Sequence, residues 1–595
     1  MSAIWGIVDL NKKELAEEEF CQMEKVYRSK KIDRIDTFFQ LHFCMGCGLQ
    51  YAVKEAREEK FPYSAEANRY FVADAILDNR EEIKAAFGIT KDVDGAIMFE
   101  ALQKDWNRAQ DQMLGAYAFA HYDCEKNELL LVSDAVGNRS VYYMYEDGRV
   151  YFSTLLDAIT TLRSGLQVNK SWFDNYFDLK DLRVVAEPRE TPYQGIYRVE
   201  PGEVVKFTAT GMERRAYWNP FKNRKTIKLS SDEEYKELVC SVFKECVEAL
   251  IREGSETAIL LSGGLDSNAV AAYAAPKLKE QGRKLYSFTS VPNKEKSRIP
   301  NNQYYVEDET EYIEELQKWH DNLEPEYVDA SEGNLLTQNR EIQRVLEIPF
   351  KTVLNMPWIY RAYKMAAEKG CGIILSGQYG NVTISYGDFH CLFVTLLQKG
   401  RFIRLIKEIN AYSRHYRKSR KMILENTLKA PKEDNFKAFS RYMYDKNALR
   451  QVGEAEVKYS LETGIIPRDP TRDKRVIELV LSLPLERFVS GGQERRLVRQ
   501  YMKDVIPEKI AGDEFHRGRQ GMGCRRIMYE QWDEISAELG KAFALKKAEE
   551  YFDTETAGLA LQNREKLFEP DNGFEMVKLM YSGLTCEYLE KKYEA

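Results

Sequence analysis

Residues 257–267 read Thr257-Ala258-Ile259-Leu260-Leu261-Ser262-Gly263-Gly264-Leu265-Asp266-Ser267, and the chain runs on as Asn268-Ala269-Val270-Ala271-Ala272-Tyr273. A short apolar run that ends in two glycines and passes into an alanine-rich stretch is a strand, a tight loop and a helix in succession. Adjacent glycines let backbone N–H groups converge on an anion, and the following helix aims its positive end at the same point. Ser262 and Ser267 can add hydroxyl donors, and Asp266 stands where a carboxylate could hold Mg²⁺ bridging phosphates. The loop is not G-x-x-x-x-G-K-[ST], so γ-phosphoryl transfer is not the chemistry it suggests.

Downstream, short apolar strand candidates alternate with helical stretches: Leu285 to Ser290, Glu326 to Asp329 and Gly372 to Leu375. Such alternation predicts a parallel sheet with helices on both faces. From Arg401 the chain is mostly helical and highly charged, and there is no internal repeat. Upstream the texture differs. Tyr70 to Ala73, Glu128 to Val132, Val141 to Met144, Arg149 to Phe152 and Ile196 to Phe207 are β-like runs punctuated by turns such as Asp147-Gly148, the pattern of stacked antiparallel sheets. Ser231-Asp232-Glu233-Glu234 reads as a capped helix start, so a domain boundary is predicted between residues 210 and 230.

The bulk numbers agree with two large domains: 595 residues exceed what one core organises, and 44% hydrophobic with 30% charged residues is a globular composition. With 87 Lys and Arg against 94 Asp and Glu there is no broad basic stripe, which disfavours a nucleic-acid partner. The longest apolar runs, such as Cys391 to Leu397, fall far short of the roughly 20 residues that span a bilayer. Met1 to Leu10 lacks the pattern of an export signal, so the expected location is cytoplasmic, without a membrane partner. Ten scattered cysteines fit reduced thiols, and Cys44-x-x-Cys47 has no second pair or histidine at ligand spacing. The six histidines form no metal-ligand pattern, although His516 lies among arginines.

Further segments carry a resemblance. Ser262 to Ser267 as S-G-G-L-D-S, Ser376-Gly377-Gln378-Tyr379-Gly380-Asn381, Arg468 to Glu478, Leu481-Ser482-Leu483-Pro484, Gln493 to Arg499, Ile506-Pro507 and Phe515 to Gly521 are similar, in order, to the motifs of the asparagine synthetase superfamily. That group of N-type ATP pyrophosphatases includes asparagine synthetase, β-lactam synthetase and lasso peptide cyclases. The resemblance implies ATP and Mg²⁺ as cofactors, pyrophosphate release and an acyl-adenylate. It implies nucleotide contacts from Leu260, Ser262, Gly263, Gly264, Leu265, Asp266, Ser267, Ser290, Ser376 and Gly377, and metal contacts from Asp266 and Asn381. Asn381 stands where the family has a second metal-binding aspartate. Gln378 stands where asparagine synthetases have glutamate and β-lactam synthetases a tyrosine. Glutamine cannot accept a proton at neutral pH, which makes adjacent Tyr379 the candidate base. Arg519 replaces the lysine that meets the leaving pyrophosphate, keeping charge and adding two-pronged phosphate binding.

The first 200 residues resemble the family's glutaminase domain through Leu77 to Glu82, Gly115 to Ala120 and Ser133 to Tyr143. A working version needs an amino-terminal cysteine whose α-amine activates the thiol. Here Ile4-Trp5-Gly6-Ile7 occupies the place of M-C-G-I. The expectation is therefore an α/β chain with two parts. Residues 1–215 would form an Ntn-hydrolase-like antiparallel β-sandwich, a degenerate glutaminase, and residues 230–595 an N-type ATP pyrophosphatase domain with a parallel sheet and a helical extension. The expected activity is AMP-forming amide-bond synthesis on a small-molecule or peptide carboxylate, intramolecular or peptide-directed as in lasso peptide cyclases, with a precursor peptide and its processing proteins as partners. The alternatives are an asparagine synthetase using free ammonia on aspartate, which an intact base would have supported and Gln378 speaks against, and a nonenzymatic nucleotide-binding scaffold.

Overall fold

In the computed structural model, residues 2–593 are described except 66–67, 164, 179–186, 223, 293–304, 307, 330–332, 445, 515–516, 519–521 and 570–572. The first third is two six-stranded antiparallel sheets. One runs in the order Ile196–Arg198, Tyr142–Glu146, Arg149–Ser153, Ser2–Asp9, Phe43–Leu49, Arg34–Gln40, and the other Gly211–Ala216, Glu203–Thr208, Glu128–Ser133, Gly115–Asp123, Arg69–Leu77, Tyr63–Ala65. Strand side chains alternate between faces, and the first strand obeys this. Ile4 and Val8 enter the core between the sheets with Phe71, Phe119 and Leu131, while Ala3, Trp5 and Ile7 enter a second core with Tyr27 of the helix Glu17–Arg28. Cys44 and Cys47 fall on opposite faces of Phe43–Leu49 in those two cores, so they share no ligand site.

The second part holds a five-stranded parallel sheet in the order Leu323–Asp329, Leu285–Val291, Glu256–Leu260, Cys371–Leu375, Ile466–Arg468. The chain builds outward from the third strand in this order to the first, then returns to lay Cys371–Leu375 on the other side of Glu256–Leu260. That reversal is a topological switch point, and in open parallel sheets ligands sit at the carboxyl ends of the strands there. The Ser231 hydroxyl accepts the Glu234 N–H at 3.2 Å and caps the helix Asp232–Ala249, as its sequence suggests.

The two parts share one continuous core, in which Ala52, Ile76 and Ala116 join Leu261, Leu265 and Ile373. Buried charges cross the same boundary. Arg468 meets Asp78, Arg198 meets Glu454 at 3.2 Å, and the Leu156 N–H donates to Glu347 at 2.9 Å. Buried pairs with both partners present add little net stability but strongly penalise loss of one partner, so they fix how the two parts fit together.

Candidate active site

The loop after Glu256–Leu260 is pre-shaped by its own side chains. The Ser267 hydroxyl accepts the Ser262 N–H at 3.0 Å, the Ser262 hydroxyl accepts the Gly264 N–H at 3.2 Å, and the Asn268 amide donates to the carbonyls of Ser262 and Gly264 at 2.8 and 2.7 Å. The loop's carbonyls are thus engaged from behind. Gly264 caps the helix Leu265–Glu280 without a side-chain bond, leaving the first-turn N–H groups as unspent donors with the helix dipole behind them.

The second loop is seated against this helix start. The Ser376 N–H donates to the Arg468 carbonyl at 3.0 Å and the Tyr379 N–H to Asp469 at 3.1 Å, which ties the loop to the edge strand Ile466–Arg468. A Cβ on Gly377 would lie 2.8 Å from the Asp266 carbonyl carbon, and one on Gly380 would lie 2.2 Å from Asp266 Oδ1. Only glycine allows the two loops to approach so closely.

Between them opens a cavity of about 1170 Å³. Leu260, Ser262, Gly263, Gly264, Leu265, Asp266, Ser267, Ser376, Gly377, Gln378, Tyr379 and Asn381 all line it. Gln378 and Asn381 are exposed to the cavity, while Tyr379 is buried in its wall with its ring 6.1 Å from that of Tyr444. Ser290, half-buried at the carboxyl end of Leu285–Val291, does not line the cavity, although the sequence resemblance implied a nucleotide contact there. Its strand lies one place further from the switch point than either loop-bearing strand. Arg519 and His516 lie outside the described residues.

Several lining groups were not singled out from sequence. Arg495 and Arg499 supply positive charge. Arg499 is steered by the carbonyls of Ala511 and Asp513, the latter at 2.8 Å, and Arg495 acts electrostatically on Asp266. Tyr312 packs across Gly263, whose Cβ would meet its ring at 3.1 Å, and its hydroxyl donates to Asp513 at 2.5 Å. Glu309 is buried beside the loop and accepts the Gly263 N–H.

Two carboxyls at the glycine loop are destabilised as anions. Burial pushes Asp266 up to about 6, against the opposing effects of the Ser385 hydroxyl and Arg495. Burial pushes Glu309 up to about 7, against the Gly263 N–H. Asp266 Oδ1 and the Ser376 hydroxyl are buried without a hydrogen-bond partner among the described residues. Buried orphans of this kind call for a ligand, and an all-oxygen donor set suits Mg²⁺.

The sign of the pH dependence follows. Both carboxyls have folded values above their ordinary ones, so protons favour the folded apo state and this contribution is lost as pH rises from about 4 through 7. A cation opposes that trend because it requires the ionised forms. The rise in melting temperature on adding Mg²⁺ and ATP is expected to be small at pH 5.5 and to grow through pH 7.5, measured by scanning fluorimetry. An increment independent of pH would remove these two carboxyls from the ligand site.

The asparagine synthase family model matches residues 238–581, more than half of the chain, and the glutamine amidotransferase domain model matches residues 1–218. The chain belongs to the asparagine synthase family. Its amino-terminal part is the amidotransferase-like antiparallel sandwich, and its carboxyl-terminal part is the asparagine synthase domain built on the parallel sheet. Among curated relatives of this asparagine synthase family member, the glutamine-hydrolysing asparagine synthetase 3 of Bacillus subtilis (strain 168) is 22% identical over 418 residues, covering 67% of this chain and 66% of the relative. The amidase chyE of Penicillium rubens is 30% identical over 182 residues, covering 30% of this chain and 26% of that protein. The matches thus span just under two thirds of the first relative and about a quarter of the second.

Proposed function

We propose that this chain is an ATP-dependent carbon–nitrogen ligase that forms an acyl-adenylate with release of pyrophosphate and passes the acyl group to an amine. The observation that carries this reading is the convergence of two anion-type loops, from adjacent parallel strands at a switch point, on one large cavity that also holds Arg495 and Arg499. Membership in the asparagine synthase family supports ATP-dependent C–N ligation of this general kind.

In the first half-reaction a substrate carboxylate oxygen attacks the α-phosphorus and the bond to the β-phosphate oxygen breaks. The first-turn N–H groups of the helix Leu265–Glu280 and the Ser262 hydroxyl would bind the departing pyrophosphate, and the two arginines would neutralise its developing charge. Asp266 and Asn381 would hold Mg²⁺, which supplies further charge neutralisation when bound. Arg519, beyond the described residues, is retained as the cation for the leaving group. In the second half-reaction an amine attacks the acyl carbon, AMP leaves and the amine gives up a proton. Gln378 cannot take that proton, so Tyr379 in the cavity wall is assigned to pass it on.

The amine is proposed to arrive within the substrate or on a peptide, as in lasso peptide cyclisation. Two observations support this. Trp5, which the sequence resemblance sets in place of the glutaminase nucleophile, is fully buried, and the cavity of about 1170 Å³ lies above the usual range of small-ligand pockets, about 300 to 1,000 Å³. A tethered amine also brings a high effective concentration. The division into residues 1–215 and 230–595 belongs to the same proposal.

The test is ATP-dependent pyrophosphate release and AMP formation, with aspartate plus ammonia in one series and peptides carrying a free amine and a side-chain carboxylate in another. Release with peptides alone is expected. Release with aspartate and ammonia would return the chain to asparagine synthesis, and silence in both series with intact nucleotide binding would favour a scaffold.

A further inference from the structure

The helical extension carries a surface unlike the rest of the molecule. Residues 399–432 contain eleven Lys or Arg against two Glu, a net of +9, so the remainder of a chain totalling −7 amounts to −16. The two acids barely reduce this positive face. Glu408 is buried, with its carboxylate accepting from the Ser490 hydroxyl and the Gly491 N–H at 3.0 and 2.8 Å, and Glu425 lies 4.0 Å from Lys421. Arg401 and Arg404 share Glu486, whereas Lys399, Lys407, Arg414, Arg417, Arg420 and Lys429 stand exposed. The even charge balance of the whole sequence conceals this concentration.

The same segment holds six of the thirteen large apolar side chains exposed among the described residues: Phe402, Ile403, Ile406, Met422, Leu424 and Leu428. They lie on the helices Phe402–Tyr416 and Arg420–Lys429, which pack on one another while Leu405, Ile409, Ile423 and Thr427 face inward. Ile403 is 89% exposed, Leu428 61% and Ile406 59%. Side chains this exposed project outward; they are not the half-buried walls of a peptide groove. Apolar projections set among cations match the chemistry of an anionic lipid–water interface, where the apolar groups enter the acyl boundary and the cations meet headgroup phosphates. No helix among the described residues is long and apolar enough to cross a membrane, and attachment of this kind needs none.

We propose that the helix pair 402–429 is a docking surface for an anionic phospholipid bilayer, on which the chain lies peripherally. The sequence expectation of no membrane partner rested on the lack of a spanning segment, and an interfacial helix pair is a different class of contact. The placement also bears on the site. Tyr416, the last residue of the first of these helices, lines the cavity, and Arg417 follows it among the docking cations, so docking would set that edge of the cavity beside the lipid surface.

The test is flotation of the full chain with vesicles of phosphatidylcholine containing one third phosphatidylglycerol, and with pure phosphatidylcholine vesicles. Binding to the anionic vesicles at low salt is expected to exceed binding to neutral ones at least tenfold and to fall with added salt, each surface cation contributing about fivefold. Ile403→Asp combined with Ile406→Asp, and separately Arg417→Glu combined with Arg420→Glu, should each reduce binding at least tenfold with unchanged melting temperature, because all four positions are exposed. Absence of vesicle binding would overturn the proposal. So would binding that the aspartate substitutions leave intact and soluble polyglutamate competes away, which would mark a site for acidic polypeptides instead.

Discussion

Asp266→Ala should abolish pyrophosphate release, lowering it by about 10³-fold, while leaving the melting temperature of the apo protein unchanged or raised. The loss of activity follows from position. Asp266 lies in the first turn of the helix that follows the S-G-G-L-D-S loop, its Oδ1 faces the space that glycine at 380 keeps open, and it lines the cavity. Loss of one charge-stabilising group in a closed site typically costs 10² to 10³ in rate. The effect on stability runs the other way because burial disfavours this carboxylate and Oδ1 lacks a partner. Removing this carboxyl relieves a burial penalty that outweighs its contacts with Ser385 and Arg495. Asp266→Asn separates charge from shape, and it should lose activity almost as fully. Pyrophosphate release within tenfold of the parent in either variant would take Asp266 out of the reaction.

The contrast between the two loops shows how far a sequence can be read. Ser262 to Ser267 is legible because everything it needs is local: an apolar strand, two glycines, a helix and hydroxyls that bond within five residues. Glu309, Tyr312, Arg495 and Arg499 give no such signal. They reach the same cavity through the strand order of the sheet and the packing of distant helices. Arg495 and Arg499 sit in a segment whose resemblance to the family is visible in sequence, yet that resemblance gave them no assigned role.

Strand boundaries failed for a related reason. Leu323–Asp329 is legible only from Glu326, because Pro325 interrupts it, and Ile466–Arg468 is hidden by Pro467. Both prolines lie on edge strands of the parallel sheet, where a missing N–H can be tolerated. Local propensity argues against a strand at these positions, and the sheet overrides it.

Trp5→Ala is expected to destabilise the amino-terminal sandwich by about 3 to 5 kcal/mol, the usual range for deleting a buried tryptophan side chain. Trp5 is fully buried, stacks on Tyr27 with ring centroids 4.2 Å apart, and lies opposite Gly46, where a Cβ would come within 2.2 Å of the indole. The Tyr27 hydroxyl is held in turn by the Ser153 hydroxyl at 2.6 Å and the Leu155 N–H at 3.0 Å. The position that the sequence resemblance gives to a glutaminase nucleophile is therefore filled by a packed aromatic pair. For the same reason Trp5→Cys should create no glutaminase. The new thiol would lie mid-strand, paired with Gly46 on one side and Ser153 on the other, and three residues, or about 10 Å of extended chain, from Ser2. It would have no α-amine beside it to take its proton. Urea denaturation followed by tryptophan fluorescence measures the first effect and glutamate release from glutamine the second. A midpoint unchanged in Trp5→Ala would mean that the indole is not part of the packing, and measurable glutaminase activity in Trp5→Cys would mean that the ancestral pocket survives behind it. Loss of stability without gain of activity is the pattern expected of a domain kept for its fit against the ligase half, through Arg468–Asp78 and Arg198–Glu454, and no longer as a source of ammonia.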